Sequence, residues 1–134
     1  MPIVAIGLNH RSAPVDVREK FAFKESEIPE VLSELRTRGL ITEGVILSTC
    51  NRVELYAVTQ TADPGSLAEL RAHLAQVRSC GDVFHNHFYH HSEPTSLEHL
   101  FKVACGLDSM VLGETEILGQ LKKAYELALQ HKFT

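Results

Sequence analysis

The 134-residue sequence has no tryptophan, and its aromatic set is six phenylalanines and three tyrosines. So few aromatic rings exclude a broad base-stacking surface. Cysteine is scarce too. Cys50, Cys80 and Cys105 are an odd number, widely spaced, with no Cys-x-x-Cys pair. That disfavours a disulfide framework and a zinc knuckle, and it suits a reducing cytoplasm. Long apolar runs are absent. The first one, from Ile3 to Leu8, stops at Asn9-His10-Arg11 and has no basic segment before it, which excludes a signal peptide or a spanning helix there. Positive charge is outnumbered, with 13 basic against 17 acidic residues and a net charge of −4. A domain that holds nucleic acid mainly through its phosphates carries the opposite sign, so only a local basic patch is left for that work. The eight glycines form no Gly-x-Gly-x-x-Gly, and no strand–glycine–helix fingerprint for a dinucleotide is present.

What is there is ordinary globular composition, 44% hydrophobic and 22% charged, in a length that suits one domain with its own core. Ile3–Leu8 reads as a strand that enters a polar loop, and Pro14 opens a short helix over Val15–Phe21. Ile28, Val31, Leu32 and Leu35 have helical spacing, with Gly39 at the stop. Gly44–Leu47 is a second strand, and a third follows from Arg52. The Asp63-Pro64-Gly65 turn precedes a helix striped by Leu67, Leu70, Leu74 and Val77. Val83–Tyr89 reads as a strand. Ser92 and Pro94 begin a helix with Leu97, Leu100, Phe101 and Ala104 inward. Ile117, Leu121, Ala124, Tyr125 and Ala128 then face inward from a last helix that shows no glycine or proline stop through Lys132. The succession predicts an α+β domain, a mainly antiparallel four-stranded sheet covered by helices, related to the ferredoxin-like βαβ type.

The third strand alternates, with Val53, Leu55 and Ala57 on one side and Arg52, Glu54 and Tyr56 on the other. If the extended chain continues back through Asn51, Cys50 joins Arg52 and Glu54, which sets a thiol, a guanidinium and a carboxylate on one face. A lone cysteine is usually a small buried hydrophobe. Cys50, however, lies among Ser48, Thr49, Asn51 and Arg52, which is poor core material, and a neighbouring cation favours the thiolate that nucleophilic attack needs. Cys80 and Cys105 keep a structural reading. His85, His87, His90 and His91 cluster without an acidic or thiol ligand and are read as an unmetallated edge. His10 and His99 are better placed for chemistry, although a histidine beside an apolar stripe is more often a packing residue. Between Gly106 and Gln120, three glycines and several polar residues interrupt an apolar run. There the backbone has room to approach a ligand, while Glu114 and Glu116 either complement a helix dipole or hold a cationic group.

Three blocks stand in order along the chain. They are Gly7–Pro14, then Leu47-Ser48-Thr49-Cys50-Asn51-Arg52-Val53-Glu54-Leu55-Tyr56, then the glycine-rich segment from Gly106 to Gln120. Together they resemble the N-terminal catalytic domain of the glutamyl-tRNA reductase family, which begins tetrapyrrole (5-aminolevulinate, heme) synthesis by the five-carbon route. The resemblance implies that Cys50 attacks the aminoacyl ester of glutamyl-tRNA(Glu), releases the tRNA and holds glutamate as a thioester. NADPH then reduces the thioester to glutamate-1-semialdehyde. It implies a catalytic role for His99 as base or acid. It also implies substrate contacts from Thr49, Asn51, Arg52, Ser109, Glu114, Thr115, Glu116 and Gln120, with Glu54 as a further contact on the Cys50 face. Charge suggests Arg52 on the substrate carboxylate and Glu114 or Glu116 near its ammonium. In that family NADPH sits on a separate domain, joined by a long helix to a dimerisation domain. Residues 1–134 would then be the N-terminal, glutamyl-binding part of a longer homodimeric enzyme, and the aminomutase acting next is an expected partner. Two other readings of the residues stand beside it: a thiol-dependent acyl transferase or esterase, and a non-enzymatic module that binds tRNA or a regulator.

Overall fold

The computed structural model of the chain describes residues 2–61, 63–77, 87–104 and 116–134. Their elements run β1 (Ile3–Asn9), α1 (Val15–Phe21), α2 (Ile28–Thr37), β2 (Glu43–Ser48), β3 (Arg52–Val58), α3 (Pro64–Val77), β4 (Tyr89–His91), α4 (Thr95–Ala104) and α5 (Glu116–Gln130). The four strands make one antiparallel sheet in the order β2-β3-β1-β4. This order with a β-α-β-β-α-β succession is the ferredoxin-like arrangement, to which α4 and α5 are added. The strand expected over Val83–Tyr89 is seen only as β4, and residues 83–86 lie outside the described residues.

Register divides the sheet into two faces, because directly paired residues point the same way. Asn9, Gly7 and Ala5 of β1 pair with Arg52, Glu54 and Tyr56 of β3, and Gly7 and Ala5 also pair with Tyr89 and His91 of β4. That face meets α4 and α5 through a small cluster of Ala5, Leu47, Tyr56, Val103 and Ile117. The opposite face carries Val4, Ile6 and Leu8 with Val53, Leu55 and Ala57, packed under Phe21, Leu32, Leu35, Leu70 and Leu74 of α1 to α3. Each fully buried leucine there stabilises the fold by roughly 1.5–3 kcal/mol. Helices on both faces explain why β1 and β3 are buried along nearly their whole length, although β3 alternates in polarity.

Two helices stop in the same way. At α2, Gly39 has φ +74°, and the N–H groups of Leu40 and Gly39 return to the carbonyls of Leu35 and Arg36. At α5, the N–H groups of Phe133 and Lys132 return to Ala128 and Leu129, with Lys132 at φ 64°. Both are Schellman motifs. The last helix thus has the stop that its sequence does not advertise. A lysine takes the left-handed position, and Phe133 is buried in the larger cluster beside Ala128.

Of the two added helices, α4 is rotated from its expected face, while α5 keeps the expected one apart from Tyr125. On α4 the inward residues are Ser96, His99 and Val103, with Leu100 partly buried, while Phe101 is 68% exposed. On α5 Ile117 and Ala128 are buried, but Tyr125 is 50% exposed. The sheet face under α4 is the polar one, so the helix turns its donors toward it rather than its largest apolar side chains. Ser96 Oγ donates to the Ile3 carbonyl at 2.8 Å, and His99 reaches Glu54.

Candidate active site

One end of the sheet gathers three blocks of chain: the C-terminus of β1, the β2–β3 hairpin and the N-terminus of β4. At the first, Asn9 Oδ1 accepts the N–H groups of Arg11 (2.9 Å) and Ser12 (3.1 Å), and Ser12 Oγ accepts the Asn9 N–H. This Asx turn is why Asn-His-Arg-Ser ends β1 so sharply. At the hairpin, Thr49 N–H donates to the Arg52 carbonyl at 2.8 Å. The Thr49 hydroxyl accepts the N–H groups of Asn51 (3.2 Å) and Arg52 (3.1 Å). Cys50 and Asn51 therefore form the tip, and Cys50 is exposed. The expected extension of β3 back through Asn51 does not occur, because the Thr49 hydroxyl turns the chain there. Arg18 of α1 steadies the tip from outside, with Nη1 3.4 Å from the Asn51 carbonyl.

Behind the tip lies a buried ion network. Arg52 and Glu54 are each 1% exposed, and Arg52 Nη1 donates to Glu54 Oε1 at 3.0 Å. The same oxygen accepts the Tyr56 hydroxyl at 2.7 Å. Oε2 accepts the Tyr89 hydroxyl at 2.5 Å and meets His99 Nε2. Burial alone would raise the Glu54 pKa. The His99 hydrogen bond, the Arg52 charge and the Tyr89 hydroxyl outweigh it and hold the carboxyl at about 2. Burial, followed by the charge of Glu54 and its hydrogen bond, pushes the Tyr89 hydroxyl far upward, so it stays a donor. With Glu54 ionised, Nε2 of His99 carries the hydrogen. In the neutral ring Nδ1 is then the acceptor nitrogen. The His91 ring lies 4.6 Å from that of His99, centroid to centroid.

Gly7 makes room for this network. A Cβ there would come within 2.3 Å of the Val53 carbonyl and 2.9 Å of Glu54 Cγ. Outside the network, a cavity of about 380 Å³ opens on His99, Tyr89 and His91, with Arg11, Thr95 and Lys102 among its walls.

The sequence-derived residues thus fall into groups. Arg52, Glu54 and His99 come together, but Arg52 and Glu54 are turned toward each other rather than toward solvent. Cys50 stands at the same end of the sheet, on a hairpin built by Thr49 and Asn51. Gln120 of α5 lines a different cavity of about 200 Å³, beside Phe23 and Ser48. Ser109, Glu114 and Thr115 lie outside the described residues, as do Cys80, His85 and Cys105, and Glu116 is seen only as the first residue of α5. His87 Nδ1 lies 2.9 Å from the Ser12 carbonyl, His90 is exposed on β4, and among the described residues no three His, Cys, Asp or Glu side chains converge as metal ligands. Tyr89, Lys102 and Arg18 were not singled out from sequence, Arg11 stood only within the Gly7–Pro14 block, and His91 was read as part of an unmetallated edge. Only cross-strand register, which sets Tyr89 opposite Gly7, could have revealed the first of them. Among the described residues no helix is long and apolar enough to cross a membrane.

The family model described as "Glutamyl-tRNAGlu reductase, N-terminal domain" matches residues 6–134. The chain is 44% identical, over its whole length, to a glutamyl-tRNA reductase of Paenibacillus macerans, and covers 31% of that protein. It is 49% identical over 97% of its length to one from Herpetosiphon aurantiacus, again covering 31% of the relative. Among solved structures, glutamyl-tRNA reductase from Methanopyrus kandleri superposes with a TM-score of 0.74 at 32% identity, over 98% of this chain and 29% of that one. The chain therefore spans just under a third of the relatives it matches. With 129 consecutive residues under the family model and this fold beneath them, the chain belongs to the glutamyl-tRNA reductase N-terminal domain family.

Proposed function

We propose that this chain performs the acyl-transfer half of a glutamyl-tRNA reductase reaction: Cys50 takes glutamate from glutamyl-tRNA(Glu) as a thioester and the tRNA leaves. The observation that carries the reading is the buried Glu54–His99 pair, open on one side to a polar cavity, at the sheet end where the exposed Cys50 stands. The thiol gives its proton to His99, its sulfur attacks the ester carbonyl, and the carbon–oxygen bond to the ribose breaks. The electron pair goes to the ribose oxygen, which takes a proton from His99. Glu54 keeps the imidazole in the tautomer that makes this exchange workable, as the third member of nucleophile–base–carboxylate sets does. Arg52 and Tyr89 act as positioning residues for Glu54, in place of the direct contact to the substrate carboxylate expected of Arg52. Thr49 and Asn51 shape the hairpin. Contacts from Ser109, Glu114, Thr115, Glu116 and Gln120 to the glutamyl group rest on the motif blocks alone.

The residues of this chain do not fit a dinucleotide. The β1–α1 connection is Asn-His-Arg-Ser-Ala-Pro, with none of the glycines that let a backbone approach a pyrophosphate, and the sheet is antiparallel. NADPH, the reduction to glutamate-1-semialdehyde and the dimer contacts belong, in this reading, to the remaining two-thirds of a longer cytoplasmic enzyme, as does any docking of the next aminomutase. The test is to incubate the 134-residue chain with glutamyl-tRNA and NADPH. We expect release of uncharged tRNA, up to one equivalent per chain in a first phase, without semialdehyde. No discharge above the no-protein rate, or discharge unchanged in Cys50→Ser, contradicts the proposal.

A further inference from the structure

We propose that His91 is a positioning residue. Its ring lies against that of His99 and fixes the plane of the imidazole, and with it the direction in which Nδ1 points. This deepens the acyl-transfer reading and rests on it.

The need for such a residue follows from how His99 is held. The α4 backbone fixes its Cβ, and Glu54 Oε2 holds Nε2 at the far side of the ring. Two fixed points leave one freedom, rotation of the ring about the line that joins them. That rotation is the one that swings Nδ1, the nitrogen that must take the Cys50 proton and pass it to the ribose oxygen. The side chain does not choose the angle by itself, because the outer torsion of a histidine has broad minima. The choice falls to whatever packs against the ring.

Two rings of β4 pack there, in different ways. Tyr89 makes an edge contact, with centroids 5.4 Å apart and planes at 62°. His91 comes closer, to 4.6 Å, and lies nearer to parallel, at 36°. Turning the imidazole about its fixed line would drive it into the His91 ring on one side and part the two on the other. Strand geometry explains why His91 is there. Tyr89 and His91 are two residues apart, so both rings stand on one face of the sheet, and their partners on β1 are Gly7 and Ala5. Those small residues leave the height above the sheet that two rings need. The support is firm on both sides. Ala5, under His91, belongs to the buried cluster with Val103 of α4, and the Tyr89 hydroxyl is anchored on Glu54 at 2.5 Å. Tyr89 and His91 also touch, 5.5 Å apart at 38°, so the three rings pack as one group. What this contact uses is the ring of His91, which a phenylalanine supplies as well.

The test compares His91→Ala and His91→Phe with the wild-type chain, each mixed with excess glutamyl-tRNA and quenched at intervals to read the rate of Cys50 glutamylation. At saturation His91→Ala should be slower by about 10- to 100-fold, as when a reacting group is held at the wrong angle. The glutamyl-tRNA concentration for half-saturation should stay within about twofold of wild type. His91→Phe should keep the rate within about threefold, because it keeps the ring. A wild-type rate in His91→Ala overturns the proposal. So does a His91→Phe as slow as His91→Ala, which would make a nitrogen of His91 the working group. A loss confined to half-saturation also overturns it, since His91 would then be a substrate contact. A second readout needs no acyl transfer. NMR relaxation of the His99 ring carbons should show added ring motion in His91→Ala and none in His91→Phe, with the wild-type melting curve kept in the phenylalanine variant. Unchanged ring motion in His91→Ala overturns the proposal. Wild type that forms no thioester while its rings behave as expected contradicts the acyl-transfer reading instead, and leaves His91 as the residue that orients His99.

Discussion

Replacing Glu54 by glutamine changes one oxygen to nitrogen and should nevertheless cost the domain much of its stability. The carboxylate accepts four hydrogen bonds, from Arg52, Tyr56, Tyr89 and His99, in a site that is 1% exposed. A glutamine keeps one acceptor oxygen and adds two donors, so the pair of groups at the other atom loses its acceptor. The Arg52 charge also stays buried without a counter-charge. Breaking a buried pair from one side costs about 3–5 kcal/mol, a large part of the roughly 5–15 kcal/mol that holds an ordinary domain together. For a chain of this length that corresponds to a fall in Tm of roughly 10–20 °C. Urea unfolding of wild type and Glu54→Gln, followed by circular dichroism at neutral pH, reads it directly. The companion pair Glu54→Leu with Arg52→Met removes both charges and should recover only the part of the loss that comes from the unpaired Arg52 charge, because Tyr56, Tyr89 and His99 still lose their acceptor. A change below about 1 kcal/mol in Glu54→Gln would refute the claim that the network is a closed, desolvated unit.

Three further outcomes follow from the same geometry. Glu54 is held at about 2, against 4.5 unperturbed, so its native form binds its proton less readily than the unfolded chain does. Its contribution, about 3 kcal/mol, is fully present above pH 4.5 and is lost as pH falls through that value toward 2; urea midpoints that stay flat between pH 5 and 2.5 would contradict this. Gly7→Ala forces a Cβ to within 2.3 Å of the Val53 carbonyl on a central strand, and should destabilise by about 1–3 kcal/mol or more and displace Glu54; an unchanged melting curve would speak against it. His99→Gln should slow thioester formation about 100- to 10,000-fold while leaving alkylation of Cys50 by iodoacetamide close to wild type, and equal loss in both assays would mean that His99 acts only on the fold.

How legible the site was depended on which residues carried a periodic signal. The alternation of β3 was enough to put Arg52, Glu54 and Tyr56 on one face, because side-chain direction in a strand follows from the backbone alone. Gly39 marked the end of α2 for a similar reason, since only the left-handed conformation was needed there. Ser48-Thr49-Cys50-Asn51 had no glycine or proline to betray a turn, and the Thr49 hydroxyl does the turning. On α4, ranking side chains by hydrophobicity favoured Leu97 and Phe101, whereas the buried Glu54 carboxylate drew His99 inward and the Ile3 carbonyl drew Ser96. That pull is a tertiary fact, absent from any single element. The stop of α5 was hidden for the same kind of reason: Lys132 is a poor left-handed residue, and the burial of Phe133 holds it there.

The central claim is that Cys50 is the residue that becomes acylated. Acid-quenching the chain seconds after mixing with glutamyl-tRNA, then digesting it and weighing its peptides, decides the matter. The account predicts a glutamyl adduct, labile to hydroxylamine, on the peptide that contains Cys50. The adduct should be absent in Cys50→Ser and retained in Cys80→Ser and Cys105→Ser. An adduct on another residue, or one that survives Cys50→Ser, contradicts it.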